Sequence, residues 1–93
     1  MFEKQCKKEL AAQCREYCIK IHKFLSNHFV WTAVLERNGK YVYASISDVR
    51  FWDWYDKVLI RTMKHDTDWR GGNNNYCTYD KIGETADRLF NLQ

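Results

Sequence analysis

The dipeptide Asn38-Gly39, flanked on both sides by alternating residues, constrains this chain more than any other feature. Both central positions of a type I′ turn need positive φ, which glycine adopts freely and asparagine tolerates. Taking the pair as a two-residue loop sets Arg37 opposite Lys40. It then sets Leu35 against Val42, Ala33 against Ala44 and Trp31 against Ile46. That face is apolar throughout, so strands over 29–36 and 41–47 share one self-consistent register. A slip of one residue would turn the whole apolar set to solvent. The opposite face carries Thr32, Val34, Glu36, Tyr41, Tyr43 and Ser45, a mixed surface.

The segments around the hairpin predict helices. Over 3–26, Cys6, Leu10, Cys14, Tyr17, Cys18, Ile21, Phe24 and Leu25 recur at helical spacing, and Asn27 suits the stop. Over about 49–65, Phe51, Tyr55, Val58, Leu59 and Thr62 share a helical face, with Ser47 or Asp48 as cap. The rival for 56–63 is a strand, because Val58-Leu59-Ile60-Arg61-Thr62-Met63 is rich in strand formers. Such a strand would pair with Tyr76-Cys77-Thr78-Tyr79. The helix is the preferred reading. Asp80 caps a last helix over 81–91, with Ile82, Ala86, Leu89 and Phe90 as its buried stripe. The expectation is one α+β domain over 1–93, in the order α-β-β-α-(β)-α. A small antiparallel sheet packs against three helices on one of its faces.

A chain of 93 residues holds a single modest core. With 16% aromatic residues, some rings are expected at the surface. The net charge of +3 is mild and uneven. Residues 1–28 carry six basic and three acidic side chains, and residues 66–93 carry three basic and five acidic ones. The first residues form no apolar run and no stretch is long enough to span a bilayer. Cys6, Cys14, Cys18 and Cys77 are therefore expected as free thiols in a cytoplasmic protein.

Reactive constellations are sparse. Cys14, Cys18 and His22 recur every four residues, but the thiols belong to the apolar arc and read as packing. Asp66-x-Asp68 before Gly71 departs from a calcium loop, with Arg70 and Cys77 standing where oxygen ligands belong. Arg70-Gly71-Gly72-Asn73-Asn74-Asn75 reads as a surface turn, not a phosphate loop. No nucleophile elbow or dinucleotide fingerprint is present, and His22, His28 and His65 are scattered. The expectation is a non-enzymatic protein without metal or cofactor.

The candidate surface is cationic. Lys4, Lys8, Arg15 and Lys23 fall on one outward flank of the first predicted helix. Arg50, Lys57, Arg61 and Lys64 fall within about 60° on the second, beside Trp54. Trp69 and Arg70 in the loop complete the expected partner-binding set. A solvated helix face is the plain alternative. Tyr41 and Tyr43, near Arg37 and Lys40, form a second patch.

The stretch Leu59-Ile60-Arg61-Thr62-Met63-Lys64-His65-Asp66-Thr67-Asp68-Trp69-Arg70-Gly71-Gly72-Asn73-Asn74 looks like segments of short reading frames in phages and mobile elements. Together with the compact, aromatic-rich, cysteine-tolerant composition, it resembles the anti-CRISPR class of phage inhibitors. That resemblance implies stoichiometric inhibition of a host defence ribonucleoprotein or enzyme, by masking a nucleic-acid channel or a protein docking surface. The expected setting is the host cytoplasm, and a monomer is the favoured state. The alternatives are a small nucleic-acid-binding module and an oligomeric adaptor.

Overall fold

The computed structural model describes residues 2–26, 30–46, 54–63 and 74–92. Its elements are helix α1 (Phe2–Glu16), strands β1 (Lys20–Ser26), β2 (Trp31–Arg37), β3 (Lys40–Ile46), β4 (Val58–Met63) and β5 (Asn74–Cys77), and helix α2 (Ile82–Leu92). The strands form one antiparallel sheet in the order β1-β2-β3-β4-β5. The α+β class and the helices packed on one face of a sheet agree with the sequence. The three-helix order does not.

The central hairpin has the expected register, from Trp31 opposite Ile46 to Arg37 opposite Lys40. Its turn is the expected one too, with φ of 55° at Asn38 and 80° at Gly39. The inward row Trp31, Ala33, Leu35, Val42, Ala44 and Ile46 is buried, and β4 adds Val58 and Ile60. Cys6, Leu10 and Cys14 of α1 and Ile82, Ala86, Leu89 and Phe90 of α2 close the core from above. Helix α2 lies over β3 and β4, and α1 lies beside β1. Each fully buried aliphatic side chain contributes about 1.5–3 kcal/mol.

The first helix ends ten residues earlier than its apolar spacing predicts. Cys18 adopts a left-handed conformation with φ of 58°. The Ile19 N–H donates to the Cys14 carbonyl at 2.9 Å, and the Cys18 N–H donates to the Arg15 carbonyl at 3.4 Å. This pair of bonds is a Schellman stop. Past it the chain returns as an edge strand. Lys23 therefore stands on a strand, Cys18 is exposed, and Leu25 is 69% exposed instead of core.

A cysteine at the left-handed stop costs about 1 kcal/mol, because its Cβ crowds the following carbonyl. Cys18→Gly is expected to raise the melting temperature by roughly 4 °C. Cys18→Ala keeps the Cβ and should leave it unchanged. Equal melting temperatures for the two variants in calorimetry would refute the strain.

The helix predicted over 49–65 is replaced, within the described residues, by a 3-10 turn (Trp54–Asp56) and by β4. The rival strand is the correct reading of 58–63. Its partner is Asn74–Cys77, so the pairing lies two residues earlier than 76–79. With no helix over 58–63, Arg61 does not share a helical face with Lys57. Arg50 and Lys64 lie outside the described residues, as do Trp69, Arg70, His28, His65 and the Asp66–Asp68 motif.

The last helix keeps its expected buried stripe. Asp80, expected as its cap, instead accepts a hydrogen bond from the Thr78 hydroxyl at 2.6 Å. The amide of Gly83 donates to Gln13 Oε1 of α1 at 2.8 Å, so a side chain from the neighbouring helix satisfies α2's first turn.

Candidate functional site

Two faces of the molecule carry the expected cations, and they lie on opposite sides. Lys4, Lys8 and Arg15 are exposed on α1 within about 40° of one another, pointing away from the sheet. Lys23 and Arg61 lie on the sheet face that neither helix covers. Lys57 is exposed one residue before β4. Trp54 begins the 3-10 turn. The single basic and aromatic face expected from the helical wheel is thus divided between two surfaces.

The open sheet face follows from the registers. One cross-strand row reads Lys23, Val34, Tyr43, Arg61 and Asn74. A second reads Leu25, Thr32, Ser45, Leu59 and Tyr76. A third reads Lys20, Glu36, Tyr41 and Met63. At about 4.8 Å per strand, five strands span roughly 19 Å. Val34 and Met63 are buried between these neighbours, and Tyr41 and Tyr43 are half-buried. Tyr76 at the β5 edge is 61% exposed.

A β-bulge between Ile21 and Lys23 shapes one corner of this face. It leaves His22 as the extra residue, with its ring edge-on to Tyr41 at 5.3 Å. Arg61 Nη1 donates to Asn74 Oδ1, which orients the guanidinium across the β4–β5 edge. A shallow hollow of about 250 Å³ opens in the middle, lined by Lys23, Leu25, Thr32, Val34, Tyr43 and Met63.

The sequence paired Tyr41 and Tyr43 with Arg37 and Lys40. The tyrosines are on the open face as expected, but Arg37 turns the other way. Its guanidinium bonds the Tyr17 carbonyl and the Asp87 carboxylate beneath the sheet. Sequence reasoning missed Lys20 and Tyr76 and set His22 beside a helix flank. For Lys20 and His22 the signal was the alternation along Lys20–Ser26, interrupted by the bulge.

The groups with displaced pKa values lie away from this face. Burial pushes the Cys14 thiol up to about 11. Burial likewise raises Cys77, partly offset by its bond to Thr85 and the charge of Arg88. Neither is a thiolate nucleophile at neutral pH. The Tyr79 phenol is held far above its usual range by burial and by its bonds to Cys6 and Glu9. It donates to Glu9 Oε1 at 2.7 Å and pins α1 to the start of α2. The Thr78 hydroxyl lowers the Asp80 carboxyl. Among the described residues, no group of three or more His, Cys, Asp or Glu is placed to hold a metal ion. No helix among them is long and apolar enough to cross a membrane.

Comparison of the chain with protein-family models, curated proteins and solved structures found no match.

Proposed function

We propose that this is a non-catalytic binding protein of the phage-inhibitor type. It blocks a host defence nucleoprotein in the host cytoplasm by laying its open sheet face over a working surface. The observation that carries this reading is that face: cations and tyrosines on four of its five strands, opposite the side where both helices are packed. The rigid hairpin fixes the spacing of these side chains before any partner arrives, which lowers the entropic cost of docking. The buried thiols serve packing. The stripe of Lys4, Lys8 and Arg15 on α1 is read as a solvated helix face.

The test is affinity capture from the native host's lysate, using the wild-type protein and a Lys23→Glu/Arg61→Glu variant. The wild type is expected to retain a nucleoprotein, and the variant to lose it by about tenfold or more, as desolvated charges are reversed. A triple charge reversal at Lys4, Lys8 and Arg15 is expected to change nothing. Retention by the sheet variant and loss by the helix variant would move the docking surface to α1 and defeat the proposal.

A further inference from the structure

The composition of the open face discriminates between partners. Protein interfaces place apolar residues at the centre and are depleted of charge there. Here two cations bracket the tyrosine of the middle strand: one row runs Lys23, Val34, Tyr43 and Arg61, from edge strand β1 to β4, and the exposed Leu25 and Tyr76 stand on the two edge strands. Lys20, Lys23 and Arg61 are set against one carboxylate, Glu36, among the described residues of this face.

The rings are arranged to be used separately. Tyr41 and Tyr43 are two residues apart on β3, about 7 Å along the strand. Tyr43 lies directly opposite Arg61, and His22 props Tyr41 from the side. The hollow has apolar walls at Leu25, Val34 and Met63, with the Tyr43 ring, the Lys23 ammonium and the Thr32 hydroxyl at its margin. A flat heteroaromatic group with an adjoining anion matches that lining. Base stacking on tyrosine tolerates any sequence, and interleaved cations hold the backbone between stacked bases.

We propose that the open face binds single-stranded nucleic acid. Tyr43 and Tyr41 stack successive bases, and Lys20, Lys23 and Arg61 neutralise the phosphates beside them. This rests on the reading of the open face as the docking surface, and it names the nucleic-acid strand of the target as what that surface touches.

The experiment is fluorescence anisotropy of the full chain with labelled oligouridylate and oligodeoxythymidylate of about 16 nucleotides, and with a duplex of equal length. The single strands are expected to bind more tightly than the duplex. The logarithm of affinity should fall against the logarithm of salt with a slope of about −2, from three phosphates at roughly −0.7 each. Lys20→Glu/Lys23→Glu should flatten that slope and weaken binding about tenfold or more. Tyr43→Leu should weaken it roughly 5- to 100-fold with the slope kept, because stacking is lost while the charges stay. Should Tyr43→Leu disturb folding by circular dichroism, Tyr41→Leu, at the other stacking ring, is expected to weaken binding in the same range with the slope kept.

Absence of saturable binding, equal affinity for the duplex, or an unchanged slope in the lysine variant would overturn the inference. If the lysine variant fails in nucleoprotein capture while the wild type ignores bare strands, the inference falls and the docking reading stands. If the variant captures normally as well, both fall.

Discussion

Gly83→Ala is expected to lower the folding stability by about 2–3 kcal/mol, seen as a shift of the urea midpoint with little change in slope. Intrinsic propensity points the other way, since alanine in a helix is favoured over glycine by roughly 1 kcal/mol. The sign is decided by space. A Cβ at position 83 would sit 2.9 Å from the Gln13 carbonyl oxygen, 3.0 Å from Gln13 Cβ and 3.1 Å from the Gln13 carbonyl carbon. Two of those atoms are backbone of α1, and a helix backbone cannot step aside as a side-chain tip does. The two helices must separate.

Separation would also break the bonds that Gln13 makes. Its Oε1 accepts from the Gly83 N–H at 2.8 Å, and its Nε2 donates to the Tyr79 carbonyl at 3.0 Å. Gln13→Ala, which removes those bonds and leaves the close approach intact, should cost about 1–2 kcal/mol. In a double-mutant cycle the two changes should be less than additive, because the crowded helix pair has already lost the bonds. A neutral or stabilising Gly83→Ala would show that propensity governs and that α1 and α2 do not meet at this point.

The hairpin was readable from sequence because two independent signals agreed. The Asn38-Gly39 turn demanded one register, and the apolar pattern demanded the same one. The last helix was readable because Ile82, Ala86, Leu89 and Phe90 repeat at helical spacing with nothing to compete. Strand β1 was misread for a physical reason. Ile19 is buried and Ile21 and Phe24 pack against the core, and the bulge at His22 stretches the last interval from two residues to three. A bulged strand then imitates the spacing of a helical face.

Strand β4 was ambiguous for a different reason. Val58 and Ile60 fill the core, and Met63 is buried on the other face with Leu59 half-covered. Apolar residues on both faces erase the period of two. The candidate site inherited these errors. Lys23 and Arg61 read as helix-surface cations in the sequence, yet they stand in one cross-strand row, on β1 and β4 with β2 and β3 between them. Tyr41 and Tyr43 were placed correctly because the hairpin was.

Arg37→Ala is expected to cost about 2–3 kcal/mol and to loosen three distant parts of the chain at once. The turn fixes Arg37 at the end of β2, opposite Lys40, with its side chain toward the helices. Nη1 donates to the Tyr17 carbonyl at 2.9 Å and to Asp87 Oδ1 at 2.6 Å. Nη2 donates to Asn91 Oδ1 at 2.9 Å and reaches the Asp87 carbonyl at the edge of bonding distance, 3.5 Å. The guanidinium carbon lies 5.0 Å from the centre of the Phe90 ring. One cation thus serves the Tyr17 carbonyl just past the end of α1 and the final turns of α2, where both helix dipoles favour positive charge.

Exposure decides how much of this survives in water. The side chains of Arg37 and Asp87 are 16% and 29% exposed, so screening trims the ion pair but does not cancel it. Removing the arginine leaves the carboxylate and the Tyr17 carbonyl without their donor, which is costlier than never having formed the pair. Arg37→Lys keeps the charge but cannot fork toward two acceptors or stack on the ring, and should lose about half as much. Hydrogen exchange supplies the signature, with faster exchange expected together at the hairpin tip, at Tyr17–Ile19 and in the last turn of α2. If the alanine variant unfolds within about 0.5 kcal/mol of wild type, as exposed ion pairs commonly allow, the clamp contributes nothing and the helices are held by the core alone.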